Sequence, residues 1–464
     1  MSANAKFLEG SLFRHITTMS VTSSIGLMAI FLVDFVDMLF ISMLGKEELA
    51  AAIGYAGAIL FFTSSLGIGM SIAAGATVGT ALGSRDDDQA RQSATSALVF
   101  GVVISAIFAA IVWVYLEPLS ALMGASGPTL EMSVSYLSII IPSLPLLVVG
   151  MIGSAVLRAH GAAQKAMWVT ITGGIVNAIL DPILIFGLDL ELTGAAIASV
   201  AARFAIGATA FYFILRDHGG LKPPSRKDQL QDMIPLSGIA FPTILTQLAT
   251  PIGSAYLTRS MAEYGEAAVA GMAIVGRITP VAFAIIFALS GALGPIIAQN
   301  RGAGLDDRVK EAFRDGLKFT AIVTVVVALV LFGLRDYIAQ LFEADGVARD
   351  LVFLFCGPLA LAWFFNGAIF VSNAAFNNLG HPFYSTWINW GRHTLGTIPF
   401  VIVGSAWLGA TGVLIGQAAG GVVFGLLALW LGARVVRQPA ADARPSGQFG
   451  HFRARLMELV HHRR

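Results

Sequence analysis

The sequence predicts an all-α membrane protein of about twelve transmembrane helices, arranged as two parallel-repeat six-helix bundles around a cleft. Three observations carry that prediction: an apolar and charge-poor composition, a series of apolar runs of spanning length, and a match between the two halves. Of 464 residues, 56% are hydrophobic and 12% charged. A soluble globule carries about 25% charged residues. So little polar surface cannot cover a water-facing protein, and the natural solvent is lipid. The 50 glycines fit membrane helices that pack backbone to backbone. A formal net charge of +1 argues against a nucleic-acid partner, whose binding draws on concentrated positive charge. Cys356 is the single cysteine, so no internal disulfide forms. Its neighbours in LVFLFCGPLALAWFF are apolar, and it reads as a small core residue. The opening MSANAKFLEGSLFRH is mixed polar and leads into a run long enough to span, so no cleaved signal peptide is expected.

A bilayer core of about 30 Å needs about 20 apolar residues per helix. Such runs fall near 16–43, 54–81, 93–116, 132–157, 166–187, 193–215, 235–261, 272–299, 317–335, 350–377, 383–404 and 408–433. Alternate loops hold the Lys and Arg residues, from Lys6 and Arg14 through Arg85, Arg158, Lys222 and Arg308 to the Arg-rich tail. The other set shows only Lys46, Arg335 and Arg349 clearly. That bias and the even span count both put the two termini in the cytoplasm, with the inner membrane of a bacterium as the expected location. The polar stretch RDHGGLKPPSRKDQLQD divides the chain. The expected units are an N-terminal bundle over 1–215, a linker over 216–234, a C-terminal bundle over 235–435 and a basic tail over 436–464. The tail suits either a short amphipathic surface helix or a disordered positive segment.

The halves match at an offset of about 220. LGKEELAAAIGYAGAI pairs with YGEAAVAGMAIVGRI, TALGSRDDDQAR with QNRGAGLDDRVKEA, and ELTGAAIASVAA with LGATGVLIGQAAG. Six helices per half keep both copies in the same orientation, related by an axis along the membrane normal. Parallel repeats enclose a cleft at their interface, and two rocking bodies around one site are what alternating access requires. Duplication kept for packing alone is the weaker reading for a chain of this kind.

A charge inside a bilayer costs about 3 kcal/mol or more, so intramembrane carboxylates need a reason. Asp34 and Asp37 lie near one face of helix 1 in IFLVDFVDMLFISMLG. Asp181 lies in GGIVNAILDPILIFG on helix 5, one turn beyond Asn177 and just before Pro182. Helices 1 and 5 run in the same direction, and Asp37 and Asp181 fall at similar depth. A pair of carboxylates in a poorly hydrated pocket can carry a proton. The same oxygens with an amide and a hydroxyl can hold a hard cation such as Na+. The residues leave both open, beside a purely structural hydrogen-bonded pair. Arg203 on helix 6 could pair with an acid or snorkel to the surface. Arg392 and His393 sit on helix 11, where a satisfied core histidine is the better reading. No nucleophile elbow, zinc-binding His-Glu-x-x-His, P-loop or paired cysteines occur, so the chain is not expected to be an enzyme or to hydrolyse ATP.

VDMLFISMLGKEELAA resembles the helix-1 signature of the MATE (multidrug and toxic compound extrusion) family, with Asp37 eight residues before Gly45 and Asp34 as an extra acid. VLRAHGAAQKAMWVTITGGIVNAILDPILIFGL resembles the family's helix 4 to helix 5 region, and TGAAIAS its helix-6 start. The resemblance covers about 10–435. It implies a V-shaped pair of six-helix bundles that exports amphipathic, often cationic organic compounds in exchange for H+ or Na+. In the subgroup resembling the DNA-damage-inducible type, the helix-1 Asp falls on Asp37 and the helix-5 Asn and Asp on Asn177 and Asp181. The helix-6 hydroxyl falls on Ser199, and a helix-4 Asn on Ser154. The resemblance therefore implies H+ coupling, or Na+ binding, at Asp37, Asn177, Asp181 and Ser199, with Asp34, Ser154 and Arg203 as auxiliaries. The other bacterial subgroup uses acids in helices 7 and 10; here neither helix has a mid-membrane carboxylate, and helix 10 carries the neutral Asn366 and Asn373. A multidrug antiporter is thus expected, acting as a monomer with no cofactor besides the coupling ion. A lipid-linked-precursor flippase of the same superfamily and a passive channel are the alternatives. A flippase would show a basic central cavity, and the acidic pair argues against it.

Overall fold

The computed structural model describes residues 5–44 and 47–438; the side chains of Asp34, Met38, Leu39, Ser42, Glu47, Ala50 and Arg226 lie outside the described set, as does the tail beyond 438. The described residues are helical almost throughout and contain no strand. Backbone polar groups have no water to bond in lipid, and only helices satisfy them within one segment. The first half holds α1 (Leu12–Met43), α2 (Glu47–Gly83), α3 (Asp87–Val114), α4 (Gly127–Ala159), α5 (Ala163–Gly187) and α6 (Glu191–Asp217). The second holds α7 (Arg226–Ala262), α8 (Glu266–Ala282 and Ala284–Gly302), α9 (Asp306–Leu341) and α10 (Gly346–Asn378). The stretch Pro382–Val435 follows.

Among the described residues, ten helices are long and apolar enough to span alone, and the two pieces of α8, bent by 47°, make an eleventh. A twelfth appears within Pro382–Val435, where Gly409 leaves helical geometry at φ 61, ψ −138. Ideal Cβ atoms on Gly404 and Gly412 would each fall about 2 Å from the other's carbonyl oxygen. One on Gly416 would meet Phe400, and one on Gly420 would meet Gly396. Contacts 404 with 412, 400 with 416 and 396 with 420 describe an antiparallel hairpin, so 382–408 is α11 and 410–435 is α12. Pro and Gly mark the other breaks. A 3-10 turn at Ile141–Ser143 interrupts α4 at Pro142, α5 turns π-helical over Ile183–Gly187 after Pro182, and α10 does so over Phe355–Leu359, around buried Cys356.

The helices form two lobes, and α1 and α7 straddle them. Leu12, Ile16 and Met19 of α1 pack with Leu293, Ile296 and Phe313 of the second half, while Ile41 joins the core of the first. In α7, Leu236 and Ala240 lie in the first-half core, and Leu257 and Met261 in the second-half core. The linker is shorter than the sequence suggests. Only 218–225 is non-helical, because α7 begins at Arg226. Its early turns are polar but not solvated: Asp232 is buried and accepts from Gln89 (3.4 Å), Gln92 (3.2 Å) and Ser96 (2.6 Å) of α3.

At the face that carries the basic loops, the repeat-related helices α2 and α8 touch through their backbones. A Cβ on Gly83 would fall 2.0 Å from the Gln299 carbonyl oxygen, and one on Gly302 would fall 2.0 Å from that of Thr80. These two contacts exchange under the repeat, so the closure is two-fold symmetric. Gln299 also ties the seal to its surroundings, accepting from the Phe7 amide (2.9 Å) and donating to the Ala159 carbonyl (2.7 Å).

In a Cys356→Ser background, Gly79→Cys with Ala298→Cys is expected to cross-link on mild oxidation: a Cβ at 79 would lie 2.7 Å from that of Ala298, and a parting of about 1 Å brings the pair to disulfide separation. Adding Gly302→Leu drives a side chain into the Thr80 backbone at about 1–3 kcal/mol and should cut the cross-linked fraction several-fold. Unchanged cross-linking would place the closure elsewhere.

At the linker, the rings of His160 and His218 lie 4.4 Å apart, and neither ring nitrogen of His218 has a partner. Burial, followed by His160 and Lys165, pushes His218 down to about 4, and burial also lowers His160. Both folded values lie below the unfolded value of about 6.5, so their stabilisation is complete above it and is lost as the pH falls toward 4. Amide exchange over 216–222, corrected for intrinsic rate, should rise across that window, and His218→Phe should flatten the rise.

Candidate cation site in the first lobe

The site begins with one asparagine. Asn177 faces α1 from α5, and its Nδ2 donates to Asp37 Oδ1 (3.0 Å) and Oδ2 (3.1 Å) and to Asp181 Oδ2 (2.5 Å). Asn177 and Asp181 are one turn apart and both buried, whereas Asp37 is half-buried. The carboxyl groups of Asp37 and Asp181 therefore gather around one amide nitrogen. Two carboxylates at that distance cannot both stay ionised without a positive charge between them. The second oxygen of Asp181, Oδ1, is buried and accepts no hydrogen bond. A buried acceptor without a donor costs about 1–3 kcal/mol. A proton on the pair, or a cation beside Oδ1, removes that cost.

The local fold supplies the geometry. Pro182 follows Asp181 directly, and the wide π turn over Ile183–Gly187 closes the helix behind it. Gly194 of α6 packs against the Leu184 backbone of that turn, where a Cβ would fall 2.7 Å from the Leu184 carbonyl carbon. Small residues thus bring α6 against the bend.

The other predicted residues divide. Ser199 lies beside the hydroxyl of buried Tyr136 on α4, and Tyr136 lies within the field of Arg203 and of both carboxylates. Arg203 neither pairs with an acid nor snorkels: it donates to the Ile140 carbonyl (3.1 Å) and Ser143 Oγ (2.9 Å) at the break in α4. Ser154 lies apart. Gly150 and Gly173 both abut Ile206 and so mark one level. Ser154 is one turn to the basic side of it and Asn177 one turn to the other, which separates them by about 12 Å along the lobe. The Asp34 side chain lies outside the described residues. Tyr136 was missed by sequence reasoning, because one tyrosine in SVSYLSII carries no local sign of its partners.

Two carboxylates, an amide and a hydroxyl suit a proton or a hard monovalent cation. No group of three His, Cys, Asp or Glu converges among the described residues. In the second lobe the counterparts of Asp37 and Asp181 fall near Leu257 and Ile398, and basic residues lie one to two turns nearer the basic face. Arg392 donates to Asn366 Oδ1 (2.5 Å) and contacts His393 Nε2 (2.9 Å), and the His393 ring fills the space left by Gly253.

The family model MatE matches this chain twice, over residues 23–183 and 242–403, one match per half. The FAD transporter of Shewanella oneidensis strain MR-1 is 29% identical over 444 residues, covering 94% of this chain and 98% of that protein. The multidrug export protein MepA of Staphylococcus aureus strain N315 is 23% identical over 413 residues, covering 88% and 90%. A crystal structure of a mutant of the Vibrio cholerae MATE transporter VcmN superposes with a TM-score of 0.86 at 23% identity, covering 94% of this chain and 100% of that one.

A double-mutant cycle on Asp37→Asn and Asn177→Leu, read by thermal unfolding in detergent, should give a coupling of about 1–2 kcal/mol. Additive effects would mean that the amide and the carboxylate do not act on each other.

Proposed function

The chain belongs to the MATE family of membrane transporters, and on that premise we propose that it is a secondary active antiporter that exports an amphipathic organic compound in exchange for H+ or Na+. The observation that carries this reading is the Asp37–Asn177–Asp181 cluster, with one buried carboxylate oxygen unpartnered. Such a cluster binds a cation only by holding α1 and α5 in one arrangement. Because α1 straddles the lobes, cation binding at its far half bears on packing against α8 and α9 at its near half. A cation that favours one arrangement and a cargo that favours the other exchange through that difference in free energy. Ser199, through Tyr136, and Arg203, through the break in α4, position the wall of the site.

The basic face is assigned to the cytoplasm of a bacterium by its loop charge, which places the cation site toward the outer half of the membrane. Coupled export rather than passive flow follows from carboxylates buried inside one lobe instead of lining a pore. In proteoliposomes, Asp37→Asn and Asp181→Asn should each reduce gradient-driven ethidium efflux to the level of empty vesicles while inserting normally. Imposing a pH gradient and a sodium gradient separately identifies the ion. Undiminished efflux from either variant removes the cluster from the mechanism.

A further inference from the structure

A second polar feature lies outside the carboxylate cluster, on the axis between the lobes. A cavity there is lined by α2, α4, α8 and α10, and its lining repeats at the offset of the two halves: Ser71 faces Ser290, and Gly75 corresponds to Gly294. In charge, the pairing fails at one place. Arg158 of α4 occupies the position held in the second half by the neutral Asn377 and Asn378. No carboxylate lines the cavity, and among the described residues the Arg158 guanidinium makes no hydrogen bond or ion pair. Placing a cation in a poorly hydrated interior without a counter-charge is costly, and pairing it with an anion removes the cost.

We propose that this cavity takes the phosphate group of an amphipathic organic anion, with Arg158 as its charged contact. The floor is shaped for close approach, since a Cβ on Gly291 would lie 3.6 Å from Arg158 Nε. Side-chain hydroxyls and amides from Ser290, Asn377 and Asn378 line the same space. A guanidinium binds a phosphate through two parallel N–H donors, which a buried, acid-free pocket strengthens. A cationic cargo would meet a like charge there. The cavity also lies just above the α2–α8 closure, with Ala76 and Pro295 in its lining one turn from Thr80 and Gln299. An anion bound to Arg158 therefore contacts both lobes where they part. This adds an anionic cargo to the cationic compounds expected of the exporter, and it rests on the export reading above.

Flavin mononucleotide and riboflavin test the proposal, because they share a fluorescent ring and differ by one phosphate. Purified protein in neutral-lipid nanodiscs should bind the mononucleotide about tenfold more tightly than riboflavin, about 1.4 kcal/mol. Arg158→Gln should bring the two within about twofold of each other, Arg158→Lys should keep part of the preference, and Ser290→Asp, which adds an acid to an intact cavity, should reverse it. A wild-type protein without preference, or Arg158→Gln with the wild-type preference, overturns the proposal. So does displacement of the mononucleotide by phosphatidylglycerol in the nanodisc, which would give Arg158 to a lipid headgroup. The export reading is tested separately: ethidium efflux that no longer depends on Asp37 removes that reading and leaves the binding preference standing.

Discussion

The lobes meet where two helices touch without side chains between them. Gly83 on Gln299 and Gly302 on Thr80 form one contact made twice. The backbones come so close there that the basic face has no room for a passage. Much of the architecture depends on this. The cavity with Arg158 sits immediately above the closure, and the N-terminal segment is fastened beneath it through Phe7, whose carbonyl accepts from Asn300 and Arg308. The straddling helices α1 and α7 then link the closure to each lobe's far half. In lipid, where apolar surface gains nothing from association, small residues that allow backbone contact are the available means of holding helices together.

The duplication makes the scaffold symmetric but not its chemistry. The first lobe holds two carboxylates bridged by Asn177, whereas the second holds an arginine, a histidine and Asn366 nearer the basic face. On the axis, Arg158 stands against amides. A symmetric pair of bodies can rock, but symmetry alone cannot couple the fluxes of two different solutes. Each departure from the repeat puts a distinct charge at a distinct depth, and coupling requires ligands that distinguish the states.

The spans were legible because burial in lipid demands unbroken apolar runs, and the carboxylates that meet Asn177 were legible because a carboxylate in such a run has few innocent explanations. Three features were not. The first turns of α7 read as linker, since the residues that satisfy Asp232 lie on α3, far away in sequence. Tyr136 read as an ordinary helix aromatic, because its relation to Ser199 and the carboxylates exists only across helices. Arg158 counted as a loop charge for topology, since it lies at the end of an apolar run, and only the packed lobes show it facing their common axis.

The α11–α12 hairpin has a consequence for biogenesis. Its turn, SAWLGATG, contains no charged residue, and its two strands of helix touch through main chain at three successive levels. Neither helix can settle in the membrane alone without exposing the carbonyls and glycines that the other covers. The last two spans should therefore enter the bilayer as one preformed wedge. Trp407, 82% exposed at the tip, then lodges in the far headgroup layer and sets how deep the wedge travels.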